Sequence, residues 1–230
     1  ESVTLTYDFH QPLRYGENPH QEAALYQSTA NPYSLLNVEF LNGKPLSFNN
    51  IQDANSAINI LKEFTEPTVV ALKHMNPCGV GSASNIFDAY QSAYQSDPVS
   101  IFGGIVALNR EVTLDVATEM NKIFLEIIIA PSYQQAALAE LKKKKNLRVL
   151  ILDTDAPNTD INQTLTVNGG VLFQNLDSYL VSKSDLECVT TKQATNEDLE
   201  ELYFSWKVVK HVKSNAIVIT KGTKTVGVGA

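Results

Sequence analysis

Cysteine, arginine and tryptophan are all scarce in this chain, and the first two shortages each close off a class of protein. Two cysteines, Cys78 and Cys188, are too few for a disulfide scaffold, and their wide separation fits free thiols in a reducing, cytoplasmic setting. Arginine occurs at Arg14, Arg110 and Arg148 alone, in a chain with 18 Lys+Arg against 25 Asp+Glu and a formal net charge of −7. An acidic balance of this kind lacks the basic face that neutralises phosphates, so no nucleic-acid partner is expected. No apolar run approaches the roughly 18 residues a membrane span needs, and no membrane partner is expected either. There is no initiator Met and no charged-then-apolar leader, so nothing points to export. Generic chemical motifs are missing too. Neither a Gly-x4-Gly-Lys-Ser/Thr phosphate loop nor a Gly-x-Gly-x-x-Gly turn is present. None of His10, His20, His74 and His211 has a second ligand at the spacing a zinc site requires.

What is present is an ordinary globular composition, 43% hydrophobic over 230 residues, enough for one large domain or one and a half ordinary ones. Short Val/Ile/Leu-rich runs at 68–72, 99–108, 127–130, 147–152 and 171–174 predict strands covered on both faces. Between them, Ile51, Ala54, Ile58, Leu61 and Phe64 recur at helical steps and predict a helix over 51–64. Further helices are expected at 86–94, 112–125 and 134–145. A last one has Thr195 as N-cap with Asp198 closing a capping box, and an expected inner face of Leu199, Leu202, Trp206 and Val209. Asn42-Gly43 predicts a hairpin turn within 38–47. Two β-runs, 216–220 and 225–228, flank a turn at 221–224, and a chain that stops there reads as cut from something longer. The polar stretch 153–162, with Pro157, is the expected boundary between a unit at 1–160 and a second at 161–230. The class is α/β with a mixed sheet.

Four segments carry unusual chemistry. Lys73-His74 ends a predicted buried strand and runs into a loop broken by Pro77, Gly79 and Gly81. Residues at the carboxyl end of an α/β strand sit where ligands bind. A Lys⁺ beside an imidazole disfavours a second positive charge, leaving His74 able to accept a proton. The structural alternative is a Lys73 that reaches solvent and a His74 that caps a loop carbonyl. The loop from Arg14 to Gln21, broken by Gly16 and Pro19, packs together a guanidinium, a phenol, an amide and an imidazole, a set suited to a polar or anionic small molecule. Phe102-Gly103-Gly104 marks either a close backbone approach to a ligand or tight packing against a helix. In the fourth segment, Lys207, Lys210, His211 and Lys213 offer a basic patch for phosphate, but the lysines read as ordinary cations at a helix end, whereas Asn215 stands just before an apolar run.

Taken in order, these segments, together with the strand beginning at Glu126, resemble successive motifs of the AICAR transformylase family. That activity belongs to the carboxyl-terminal part of bifunctional purine biosynthesis proteins whose amino-terminal part is IMP cyclohydrolase. The resemblance implies formyl transfer from 10-formyltetrahydrofolate, a co-substrate, to the 5-amino group of AICAR in purine synthesis. It also implies a homodimer with shared sites and a three-layer, cytidine-deaminase-like subdomain, followed by the start of a second. His74 is then the general base, and Lys73 stabilises the transition state. Arg14, Tyr15, Gly103, Glu126 and Asn215 contact the nucleotide, and Phe102 lines the folate side. The zinc-deaminase signature is not matched: Pro77-Cys78 occurs, but the Glu and second Cys do not, so no zinc is expected. A non-catalytic nucleotide-binding α/β module is the alternative.

Overall fold

The computed structural model describes residues 2–28, 35–154 and 162–230, so most of the expected boundary at 153–162 lies outside the described residues. The elements are β1 (Asp8–Leu13), β2 (Ala23–Gln27), β3 (Glu39–Asn42), α1 (Phe48–Leu61), β4 (Thr68–Lys73), β5 (Asn76–Ser82), α2 (Ile86–Ser96), β6 (Ile105–Leu108), α3 (Leu114–Met120), β7 (Ile127–Ala130), α4 (Gln135–Leu141), β8 (Arg148–Ile151), β9 (Asn162–Val167), β10 (Gly170–Asn175), α5 (Asn196–Val209), β11 (Ile217–Lys221) and β12 (Lys224–Gly229). Eight strands form one mixed sheet in the order β11-β12-β5-β4-β6-β7-β8-β3. Among the described strands, only the β6–β7 and β7–β8 pairs are parallel. The pairs β1–β2 and β9–β10 stand as separate two-stranded ribbons. Because β11 and β12 continue the sheet beyond β5, a division at residue 160 does not coincide with an edge of it.

Alternation along each central strand builds two cores, as the period of two requires. Val69, Ala71, Val106, Leu108, Ile128, Ala130 and Val149 face α2, α3 and α4. Val70, Leu72, Ile105, Ala107, Ile127, Ile129 and Leu150 face α1 and α5. The result is three layers, helices over a sheet over helices, and the expected double burial holds for β4, β6, β7 and β8.

Several expectations change. Asn42-Gly43 does not close a hairpin: β3 pairs with β8, and the Asn42 amide donates to the carbonyls of Lys144 and Leu147. Residues 76–82 are strand β5, not a loop. Their glycines serve packing, since a Cβ on Gly79 would lie 2.0 Å from the Ala93 carbonyl oxygen and one on Gly81 would lie 2.6 Å from the Ala93 nitrogen. The strand foreseen at 99–108 starts only at Ile105, because Asp97 Oδ1 accepts from the Val99 and Ser100 amides and curls the preceding residues into turns. Helices α3 and α4 are shorter than foreseen. The 171–174 run lies in the ribbon β9–β10, exposed throughout, and β11 is an exposed edge strand.

The Thr195–Asp198 capping box forms as expected, but α5 buries a different face. Phe204 and Val208 enter the core, with the Phe204 ring 5.3 Å from that of Phe64. Lys207 is buried with Nζ over the Phe64 and Tyr203 rings, at 4.9 and 5.0 Å. Leu202 and Trp206 stay about half exposed and line a groove of about 470 Å³ beside Ile217. Helix periodicity gave the stripe but not which stripe the sheet would cover.

Glu63 ties α5 to the end of α1. Its Oε1 accepts from Lys210 Nζ at 2.9 Å and pairs with His211 Nε2 at 2.8 Å. Burial pushes the Glu63 carboxyl up, but the hydrogen bonds from His211 and Lys210 outweigh it and hold the group below its ordinary value. A lowered native pKa means that this carboxylate stabilises the fold above the ordinary carboxyl range and ceases to do so as pH falls through the native value. Glu63→Gln is therefore expected to cost roughly 1–3 kcal/mol at neutral pH. In urea denaturation of the two proteins, the gap should narrow as pH drops below 4.5, the ordinary value for this group. Gly79→Ala, which forces β5 off α2, is expected to cost at least about 2 kcal/mol in the same assay.

Candidate active site

One end of the sheet gathers most of the residues singled out above. Lys73 closes β4, and the pairing of Leu72 with Ile105, Ile105 with Ile127, and Ile127 with Arg148 aligns the neighbouring strand ends beside it. Backbone bonds stitch the approaching loops together. The Gly103 amide donates to the Phe124 carbonyl at 2.8 Å, and the Glu126 amide donates to the Gly104 carbonyl at 3.0 Å. Lys73 and His74 thus stand at the carboxyl end of β4, while Gly104 and Glu126 lie at the amino ends of the parallel strands. The antiparallel run of β4 against β6 brings these opposite ends together.

His74 and Met75 are the two central residues of the β4–β5 turn, with Lys73 paired to Asn76 across it. Both have positive φ, 53° and 61°. A type I′ hairpin turn requires such values at both positions, which is why Asn-Gly is its usual choice. For side-chain-bearing residues the left-handed conformation costs about 1–2 kcal/mol each. The turn throws His74 outward as an exposed side chain, while Lys73 stays half buried. Lys73 Nζ donates to the Phe102 carbonyl at 2.9 Å. The Phe102 and Phe124 rings sit 5.6 Å apart, both about half exposed, and make an apolar wall next to the ammonium.

The amino end of α1 is the part that sequence reading missed. Ser47 caps the helix, and Asn50 Oδ1 accepts from the Ser47 amide while Asn50 Nδ2 donates to Glu126 Oε2 at 2.9 Å. Asp53, one turn on, accepts from the Met75 amide at 2.8 Å and also faces the His74 amide. Burial pushes the Asp53 carboxyl above its ordinary range, the Met75 and His74 amides pull it back, and the charge on Glu126 raises it further. Asn49 donates to the Glu17 carbonyl at 3.2 Å, which moors the loop from Arg14 to Gln21 on the same helix. In that loop the Arg14 guanidinium lies 5.6 Å from the Tyr15 ring centre, with Arg14 exposed and Tyr15 half buried. An S-F-N-N-x-x-D string at a helix start was the available signal.

Asn215 stands apart. It is exposed, between α5 and β11, and β11 lies three strands from β4. Lys207 is engaged with aromatic rings, and Lys210 and His211 with Glu63, all structural contacts. Cys78 lies within β5, its thiol pushed up to about 12 by burial and by Asp97.

Gly103 tests how tightly this corner is built. Its φ is +74°, and a Cβ there would meet the Phe124 ring at 3.7 Å and Lys73 Nζ at 3.9 Å, both ordinary contacts. Gly103→Ala is thus expected to cost about 1 kcal/mol through backbone conformation alone, read as a lowered urea midpoint with an unchanged slope.

Comparison with known proteins bears on the whole chain. The family described as the AICARFT/IMPCHase bienzyme matches residues 1–230. Proteins named "Bifunctional purine biosynthesis protein PurH" are similar: that of Ruminiclostridium cellulolyticum is 56% identical over 232 residues, and those of Oceanobacillus iheyensis and Enterococcus faecalis are each 53% identical over 231 and 232 residues. Each match covers 100% of this chain and 45% of the relative, so the chain spans about half the length of the curated relatives it matches. With a match along its full length, the chain belongs to the AICARFT/IMPCHase bienzyme family of purine biosynthesis.

Proposed function

We propose that this chain supplies the Lys73–His74 half of a formyl-transfer site, in which 10-formyltetrahydrofolate donates its formyl group to the 5-amino group of AICAR. The observation that carries the reading is the convergence of Lys73, His74, Phe102, Gly103 and Glu126 at one end of the sheet, within a chain of this family.

The AICAR amine is conjugated with its ring and carboxamide, so its lone pair is a weak nucleophile. A base that removes its proton during attack lowers the barrier. His74, carried outward on the turn, is that base. As the amine adds, the formyl oxygen becomes an oxyanion, and the Lys73 ammonium stabilises it. An ammonium has three donors; one is spent on the Phe102 carbonyl, which aims the group while leaving two for the reacting oxygen. His74 then returns the proton to the departing folate nitrogen as the carbon–nitrogen bond to the folate breaks. The Phe102–Phe124 wall suits a flat pterin ring. Arg14 and Tyr15 offer a cation and a phenol to the nucleotide phosphate, Gly103 offers backbone without a side chain, and Glu126 accepts from a ligand N–H. The reading carries with it a cytidine-deaminase-like fold, a cytoplasmic homodimer and a site shared between subunits. In such a dimer, Asn215 at the far edge of the sheet serves the partner's site.

In the full-length protein, His74→Ala is expected to lower formyl transfer by about 10²–10⁴-fold, with AICAR binding by calorimetry nearly unchanged. Near-normal turnover would overturn the role of His74. Binding of AICAR without binding of a folate analogue by the wild-type protein would instead support the non-catalytic nucleotide module.

A further inference from the structure

The turn that carries His74 does not hold itself. Two successive side-chain-bearing residues in the left-handed region form an unfavourable hairpin turn. Neither is Gly, Asn or Asp, the residues that tolerate this conformation best. The compensating contact comes from another element: the Asp53 carboxylate on α1 receives the Met75 amide at 2.8 Å and faces the His74 amide. We infer that Asp53 is the positioning residue for His74, a carboxylate clamp that holds the His74–Met75 turn left-handed and so sets where the imidazole points. The inference rests on the reading of His74 as the base.

Three further observations agree. Asp53 lies one turn beyond Asn50, whose amide grips Glu126, so a single helix face sets the turn and the acidic side chain together. Burial, with the Glu126 charge, raises the Asp53 carboxyl above its ordinary range, and carboxyls perturbed in this way cluster at functional positions. The His74 side chain also lies near enough to act on the Asp53 carboxyl, pulling it down against burial.

The test uses the full-length protein with Asp53→Asn, Asp53→Ala, Met75→Gly and the Asp53→Ala/Met75→Gly double variant. Amide exchange across residues 73–76 reads the clamp without reference to activity. The His74 and Met75 amides should exchange at least about tenfold faster in Asp53→Ala, with the Val69–Leu72 ladder as protected as in wild type. Formyl transfer should fall by up to about 10²-fold in kcat, with the KM for AICAR within about threefold, because misplacing a catalytic group affects turnover before binding. Met75→Gly alone should keep wild-type kcat. Added to Asp53→Ala, it should recover much of the loss, since glycine adopts positive φ without the clamp. Asp53→Asn, which retains one acceptor oxygen, should fall between wild type and Asp53→Ala.

Unchanged exchange at His74 and Met75 in Asp53→Ala would overturn the clamp. So would a loss that Met75→Gly leaves untouched while exchange rises throughout the sheet, since that is general destabilisation. If the wild-type protein transfers no formyl group, the proposed function falls and the exchange result alone decides whether Asp53 holds the turn.

Discussion

A sheet buried on both faces has only its strand ends left for chemistry, and that constraint governs this molecule. In β4, β6 and β7 every residue but Lys73 is buried, alternate residues going to the core beneath α1 and α5 or to the core above α2, α3 and α4. A polar side chain on those strands would need an internal partner. Asn109, just past β6, meets that demand by accepting from the Thr68 amide and donating to the Phe64 and Glu66 carbonyls. The candidate site residues therefore appear where the strands stop: Lys73 and His74 at the end of β4, Gly103 and Glu126 before β6 and β7.

Placing those groups against one another falls to the first two turns of α1. Asn49, Asn50 and Asp53 reach three separate segments, the loop after β1, the residue before β7 and the β4–β5 turn. Short polar side chains suit this work because each hydrogen bond to backbone or carboxylate fixes a position at little cost in side-chain entropy. Packing then makes the helix rigid. Ala54, Ala57, Ile58 and Leu61, farther along it, are buried under the sheet. The same element is thus a stability device at its carboxyl half and an organiser of the site at its amino half.

Much of this was legible in the sequence, and the failures have physical causes. The doubly apolar runs identified β4, β7 and β8, since only a strand covered on both faces tolerates them. The capping box at Thr195 located α5, because caps are local chemistry. The turn residues misled. Asn42-Gly43 has the composition of a hairpin turn, yet β3 finds its partner about a hundred residues away in β8. His74-Met75 looks nothing like a turn and closes the β4–β5 hairpin. Pro77, Gly79 and Gly81 read as a loop, whereas the glycines thin β5 so that α2 can approach. In each case a tertiary contact overrode a local preference worth about a kcal/mol. The candidate site followed the same division. Lys73, His74, Gly103 and Glu126 were named from their motifs, while Asp53 and Asn50 were hidden inside an amphipathic helix, where a polar residue reads as solvent-facing.

The sequence by itself determined the α/β class, the central buried strands, the main helices and the family with its Lys-His pair, because each is written in local pattern or contiguous motif. Only the tertiary structure decided which face of α5 is covered and that β11 and β12 extend the same sheet. It also decided that an α1 carboxylate sits beneath the His74 turn. Those facts depend on which surfaces meet, and residues such as Asp53 and Met75, 22 positions apart, become neighbours only when the chain packs.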